Sequence, residues 1–259
     1  MIESKTSIIN VKKMQNSATV IIPTTGTADL AKAVTSVINQ THPTDCYVVV
    51  DGPQYIETAL ERLKSIAPLA KYSNQIKICC LPDNVGADSY YGHRTYAAFT
   101  HLVNTDYVLY LDQDNWFEPA HVEQCISTMI VDQLDWCYAL RNIYDKDGVF
   151  VCRDNCESLG KWPTYHDLYH IDTNSYCFKT DVASKLASAW HGKWGQDRVF
   201  FSAAKQYFPK WDCTRKYTVN YKVDGNNGSV DSNFFINGNK IMQEKYNGEF
   251  PWQSDHIIP

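Results

Sequence analysis

Residues 107–119, YVLYLDQDNWFEP, open as an apolar run and turn acidic within a few positions. Tyr107 to Leu111 reads as a strand buried on both faces, and it ends in Asp112-Gln113-Asp114. Withdrawing carboxylates from water at the end of a buried strand is costly, so the pair predicts a cationic partner. Alternate residues of a strand face the same way, which lets Asp112 and Asp114 meet one ligand if the chain stays extended. Hard oxygen donors suit Mg²⁺ or Mn²⁺. A calcium-binding loop is excluded, because Phe117 stands where that motif needs glycine. The competing reading is that the aspartates only cap the following turn and helix, since Asp-x-Asp occurs often by chance.

Upstream, ATVIIP (18–23), CYVVVDG (46–52) and IKICCLP (76–82) have the β-branched, unalternating character of buried strands. Between them, DLAKAVTSVINQ places Leu30, Val34, Val37 and Ile38 at helical spacing behind Asp29 as N-cap, and QYIETALERLKSIA is helical again. NVGADSYYGHRTYAAFTHLV reads as a loop and then a helix. Three βα units and a fourth strand define an α/β fold with a mostly parallel sheet and right-handed crossovers. Ligands bind such sheets beyond the carboxyl ends of the strands, where Asp51, Asn84, Asp112 and Asp114 all fall. Downstream, DWCYALRNIYDKDGVFVCRD predicts an antiparallel hairpin turning at Asp147-Gly148. TNSYCFKT predicts a strand, DVASKLASAW a helix, and GQDRVFFSAAKQY a helix with Gln196 and Asp197 near its start.

The chain has 259 residues, 44% hydrophobic and 20% charged, as expected of a soluble globular protein. A net charge of −5 argues against general affinity for nucleic acid. No uninterrupted apolar stretch is long enough for a transmembrane helix, which leaves peripheral membrane contact open. The nine cysteines lie mostly in apolar runs, and no Cys/His pair completes a zinc site with Cys152 and Cys156. That usage predicts a reducing compartment and a cytoplasmic protein. We expect a lead-in over 1–17, a domain over 18–216 (halves 18–115 and 116–216), and a C-terminal extension over 217–259 packing on it.

The order VIIPT, SVINQTHP, VVVDG, DNVG, YLDQDNWFEP, GQDRVF resembles family 2 glycosyltransferases of the GT-A fold over about residues 18 to 205. The resemblance implies a Rossmann-like sheet flanked by helices and inverting transfer of a sugar from a nucleotide-sugar donor to a hydroxyl of a glycan or other acceptor. It implies a divalent cation, Mn²⁺ or Mg²⁺, that neutralises the diphosphate leaving group. By the same resemblance Pro23, Thr24 and Thr25 hold the nucleotide base. Asp51 accepts a hydrogen bond from a uracil or thymine N–H, favouring a UDP- or dTDP-sugar. Asn84 and Gly86 form the N-x-G loop beside the donor, where glycine permits close backbone approach. Arg94 lies near the donor phosphates, Asp112 and Gln113 near the donor, Asp112 on the ribose or a metal-bound water, and Asp114 on the metal.

In the family the base is the aspartate of a late Glu-Asp motif, matched here by Asp197 with Gln196 in place of the glutamate. Losing that neighbouring carboxylate lessens any upward push on the pKa of Asp197. Trp194 is placed to stack on an acceptor sugar. His166, His170 and Asp172 lie in the segment that shapes the acceptor pocket, and their spacing fixes no role. Many GT-A enzymes add a C-terminal histidine to the metal, and only His256 follows His191 here. A sugar nucleotidyltransferase is disfavoured, because PTTGTADLAKA lacks that class's glycine pattern and its arginine and lysine. A dinucleotide oxidoreductase lacks Gly-x-Gly-x-x-Gly. A catalytically inactive GT-A domain that binds nucleotide sugar or glycan is the alternative, though such a module is expected to lose Asp112, Asp114 or Asp197.

Overall fold

The computed structural model describes residues 16–66, 75–225 and 230–253. Its first half is the predicted βα series. Strands β1 (Ala18–Thr24), β2 (Thr44–Val50), β3 (Ile76–Cys80) and β4 (Tyr107–Tyr110) run parallel in the order β3-β2-β1-β4. Helices α1 (Leu30–Ile38), α2 (Ile56–Lys64) and α3 (His93–Thr100) make the crossovers. β1 and β4 are buried along their whole length, as strands covered on both faces must be.

The antiparallel pairs collect in the second half. β8 (Tyr176–Lys179) lies antiparallel to β4, and β6 (Trp136–Tyr144) antiparallel to β8. β7 (Phe150–Arg153) folds back on β6 through the predicted turn, in which Gly148 has a positive φ. β9 (Trp211–Lys222) runs parallel to β6 and carries the short β5 (Trp116–Phe117) at the sheet's edge. The boundary drawn at 216/217 therefore falls inside a sheet strand. Residues 1–15 of the lead-in lie outside the described residues.

Successive strand residues feed two cores, one on each face. Ile21, Val49, Val108, Tyr110 and Tyr138 belong to one. Val20, Ile22, Val48, Val50, Leu109 and Cys137 belong to the other, with α1 and α4 (His121–Val131). The first core is aromatic. Trp190, fully buried, stacks on Phe200 with ring centroids 3.8 Å apart and meets Tyr110 edge-on at 5.2 Å. That packing fixes α6 (Gln196–Tyr207) against the end of β4, and so one wall of the site against another. α5 (Thr180–Leu186) and α7 (Ser232–Lys245) add to the same core, burying Val182 and Leu186 and Phe235 and Met242 respectively. Asp29 holds the N-cap position of α1 as expected, but its carboxylate makes no capping bond and instead pairs with Lys222 at 2.6 Å. A lysine at the end of β9 supplies more charge compensation than a backbone N–H, which is why the carboxylate turns away from the helix.

Trp190→Ala is expected to lower the unfolding free energy by about 3–5 kcal/mol in denaturant titrations. A loss below about 1 kcal/mol would show that the aromatic stack does not hold α6 in place.

Candidate active site

A cleft of about 1110 Å³ opens at the carboxyl ends of the parallel strands. Pro23, Thr24, Thr25, Asp51, Asn84, Gly86, Asp112, Gln113, Asp114, Trp194 and Asp197 all line it. Arg94 does not: its guanidinium lies 3.5 Å over the ring of Tyr90, and Nη1 points to the Val85 carbonyl at 3.4 Å. Arg94, expected beside donor phosphates, is therefore engaged by Tyr90 and the Val85 carbonyl. The neighbouring His93, which the sequence left without a role, faces the cleft instead and bonds the Gly192 carbonyl through Nδ1 at 3.0 Å.

The loops over the strand ends are stapled by side chains. Gln113 Oε1 accepts from the Thr24 hydroxyl at 2.7 Å and from the Thr25 N–H at 2.9 Å, while Nε2 donates to the Thr25 hydroxyl at 3.2 Å. Asp51, buried at the end of β2, accepts from the N–H groups of Val85 and Gly86, both at 2.8 Å. Gly86 is required by crowding: a Cβ there would meet the Tyr91 carbonyl at 2.3 Å and Asp51 Oδ2 at 2.5 Å.

Past β4 the chain turns at Gln113 and Asp114, so the two aspartates do not share an extended strand. The expectation that they face one ligand by strand alternation is corrected; it is the turn that brings both to the cleft. Asp112 Oδ1 accepts from the Tyr96 hydroxyl at 2.8 Å, and Oδ2 from Asn174 Nδ2 at 2.9 Å. The Asn174 amide oxygen in turn accepts from the Asp112 N–H at 2.6 Å. Burial, and then the Asp172 charge, push Asp112 up, and these two hydrogen bonds partly offset the push. Asp114 presents its side chain to the open cleft, yet the enclosing walls and then the Asp112 carboxylate push it up to about 7.

Behind them runs a buried ionic network that sequence reading missed. Arg141, 1% exposed in the middle of β6, donates to Asp154 through Nε at 3.0 Å and Nη2 at 2.7 Å. It also bonds Glu157 and pairs with Asp172 at 2.9 Å. Asp172 Oδ1 accepts from the side chain and backbone N–H groups of Asn174, at 2.8 and 2.9 Å. Burial opposes the charge on Glu157, but His170 and Arg141 outweigh it and hold the carboxyl well below its usual range. His170 Nε2 lies 3.1 Å from Glu157 Oε1 and 3.5 Å from Asp197 Oδ2. A signal was present in the sequence, an arginine inside the apolar run YALRNIY, because a buried guanidinium demands carboxylates.

Asp197 sits in the first turn of α6, behind the N-cap Gly195, and its Oδ1 accepts from the Arg198 N–H at 2.9 Å. Gln196 points away, donating to the Ala189 carbonyl at 2.6 Å. Trp194, 69% exposed at the cleft lip, lies beside the Arg198 guanidinium and takes no part in the core. As for further metal ligands, His191 packs beside Tyr90 and does not line the cleft, and His256 lies outside the described residues. A thiol trio, Cys125, Cys137 and Cys177, is buried in the core and does not line the cleft. Among the described residues no helix is long and apolar enough to cross a membrane.

A mixed α/β sheet with an acid-rich cleft at its parallel strand ends defines the GT-A class of fold. The model of the family "Glycosyl transferase family 2" matches residues 19–208, and the chain belongs to that family. Among solved structures, S. aureus TarS 1-349 superposes with a TM-score of 0.60 at 16% identity, over 80% of this chain and 60% of that one. The same protein in complex with UDP-GlcNAc gives 0.59 at 14% identity, over 91% and 68%. An uncharacterized protein of Haemophilus influenzae is 39% identical over 57 residues, 22% of this chain and 38% of that protein.

Arg141→Met is expected to destabilise the fold by about 3–5 kcal/mol, because it leaves Asp154 buried and uncompensated. Denaturant midpoints measure this, and a variant as stable as the parent would show that the network does not depend on the guanidinium.

Proposed function

We propose that the protein transfers a sugar, with inversion, from a nucleoside diphosphate donor to an acceptor hydroxyl, assisted by a divalent cation. The observation that carries this reading is the charge of the cleft, which is lined by eight carboxylates against four lysines and arginines. A diphosphate does not enter so negative a space unless a cation accompanies it. Asp114, with its side chain open to the cleft, and Asp112, with lone pairs left beyond its two hydrogen bonds, are the oxygen donors that would hold Mn²⁺ or Mg²⁺. When bound, the ion supplies charge neutralisation for a departing diphosphate.

The protein's own groups supply the rest. Asp51 uses one lone pair on each oxygen for the Val85 and Gly86 N–H groups, and a further one suits the imide N–H of uracil or thymine. The loop of Pro23, Thr24 and Thr25, braced by Gln113, forms the edge of that base subsite, with Asn84 and Gly86 beside it. Asp197 takes the proton from the attacking hydroxyl. Glu157 is the poorer base, since Arg141 and His170 hold it well below the usual range. Trp194 offers an apolar ring face at the lip to an acceptor sugar. The Haemophilus match spans 38% of that relative's length and the TarS match 60%, so the activity of the whole protein is part of the proposal.

Asp114→Ala is expected to abolish Mn²⁺-dependent release of nucleotide from a donor panel. Asp197→Asn is expected to cut turnover by about 10²–10⁴-fold while leaving donor affinity in calorimetry within a few-fold. Full turnover in either variant would remove that residue from its role. Asp114, pushed up to about 7, carries a proton below that pH, which a cation must displace. Apparent Mn²⁺ affinity should therefore weaken by up to about tenfold per pH unit below 7 and level off above it, with proton release in calorimetry. An affinity independent of pH between 5.5 and 8 would contradict the assignment.

A further inference from the structure

His170 is 6% exposed and lies on the loop that carries Asp172 into β8. Charged groups face it from three other elements: Glu157 from the loop after β7, Asp197 from α6, and Arg141 of β6 behind Glu157. Its own loop adds Asp172. One ring nitrogen, Nε2, serves two carboxylates, at 3.1 Å to Glu157 and 3.5 Å to Asp197. On Asp197 the two oxygens are divided, Oδ1 accepting the Arg198 N–H and Oδ2 facing His170.

Resting on the reading of Asp197 as the base, we propose that His170 is its positioning residue. Bridging Glu157 and Asp197 through Nε2, it holds the Asp197 carboxylate in place at the cleft wall. Through the Arg141, Asp172 and Asn174 network it ties that carboxylate to the cation-side Asp112. Two features make the bridge firm. Glu157 is itself fixed by Arg141, so His170 is anchored on a group that does not swing. The bridge also leads by direct contacts to the donor side, from Arg141 to Asp172 at 2.9 Å, Asp172 to Asn174 at 2.8 Å, and Asn174 to Asp112 at 2.9 Å. Base and cation site thus stand on one scaffold of ion pairs and hydrogen bonds, which preorganises their separation.

Burial opposes a charge on His170, but Glu157 and then Asp197 and Asp172 outweigh it and push the imidazole up to about 9. It therefore stays cationic through neutral pH.

The test compares His170→Ala and His170→Gln with the parent and with Asp197→Asn, reading kcat, donor affinity and thermal stability. In His170→Ala, kcat should fall about tenfold or more, with donor affinity kept within a few-fold. His170→Gln, which keeps a hydrogen-bond donor, should recover part of kcat. The proposal is overturned if both histidine variants keep the parent's kcat. It is equally overturned if kcat falls only in step with the folded fraction or with donor affinity. Asp197→Asn separates the two levels: if it is inactive while His170→Ala is unaffected, only the positioning role fails. If Asp197→Asn turns over normally, the base assignment fails and takes this inference with it.

Discussion

A carboxylate held out of bulk water at the end of a β-strand is the constraint on which the site depends. Asp112 closes β4, and both of its oxygens are committed, one to the Tyr96 hydroxyl and one to Asn174. Those bonds take one lone pair on each oxygen without neutralising its charge, and no lysine or arginine is within ion-pair distance of it among the described residues' ion pairs. Asp114 and Asp172 add like charge nearby. The sheet thus concentrates negative potential at one point of an open cleft, a place where a cation would be stabilised.

The same logic explains the second half of the chain. Arg141 takes a full positive charge into the core of β6, a placement that breaks even only if several carboxylates surround it. Asp154, Glu157 and Asp172 do so, and the Tyr221 and Phe235 rings lie 4.4 and 5.5 Å from the guanidinium. Phe235 belongs to α7, so the C-terminal helix helps to shield an ionic cluster that borders the site. At Gly238 of that helix a Cβ would lie 2.7 Å from Cys156 Sγ, so only glycine lets α7 approach so closely. Residues after 217 therefore contribute to the second half of the domain, together with those before.

The parallel half was legible because its signals are local. Unbroken β-branched runs, helical spacing between them and acidic residues at strand ends are visible in single segments, and β1 to β4 with their crossovers follow. Harder to read were features settled by partners far apart in the chain. Asp29 holds the N-cap position but its carboxylate goes to Lys222, and Arg94 lies one position past the residue that reaches the cleft. β9 has no unbroken apolar run in WDCTRKYTVNYK to mark it, because it is set by pairing with β6 rather than by its own pattern. The scaffold of Arg141, Glu157 and His170 joins residues dispersed over three segments, and nothing in their spacing brings them together.

The central claim is that a divalent cation at Asp112 and Asp114 admits the donor diphosphate to this acidic cleft. The most direct measurement is an anomalous-difference map from crystals soaked with Mn²⁺ and UDP. A manganese peak in coordination distance of Asp114 and of the diphosphate oxygens is the expected result. A nucleotide bound with its phosphates well away from residues 112–114, and manganese absent there, would contradict it.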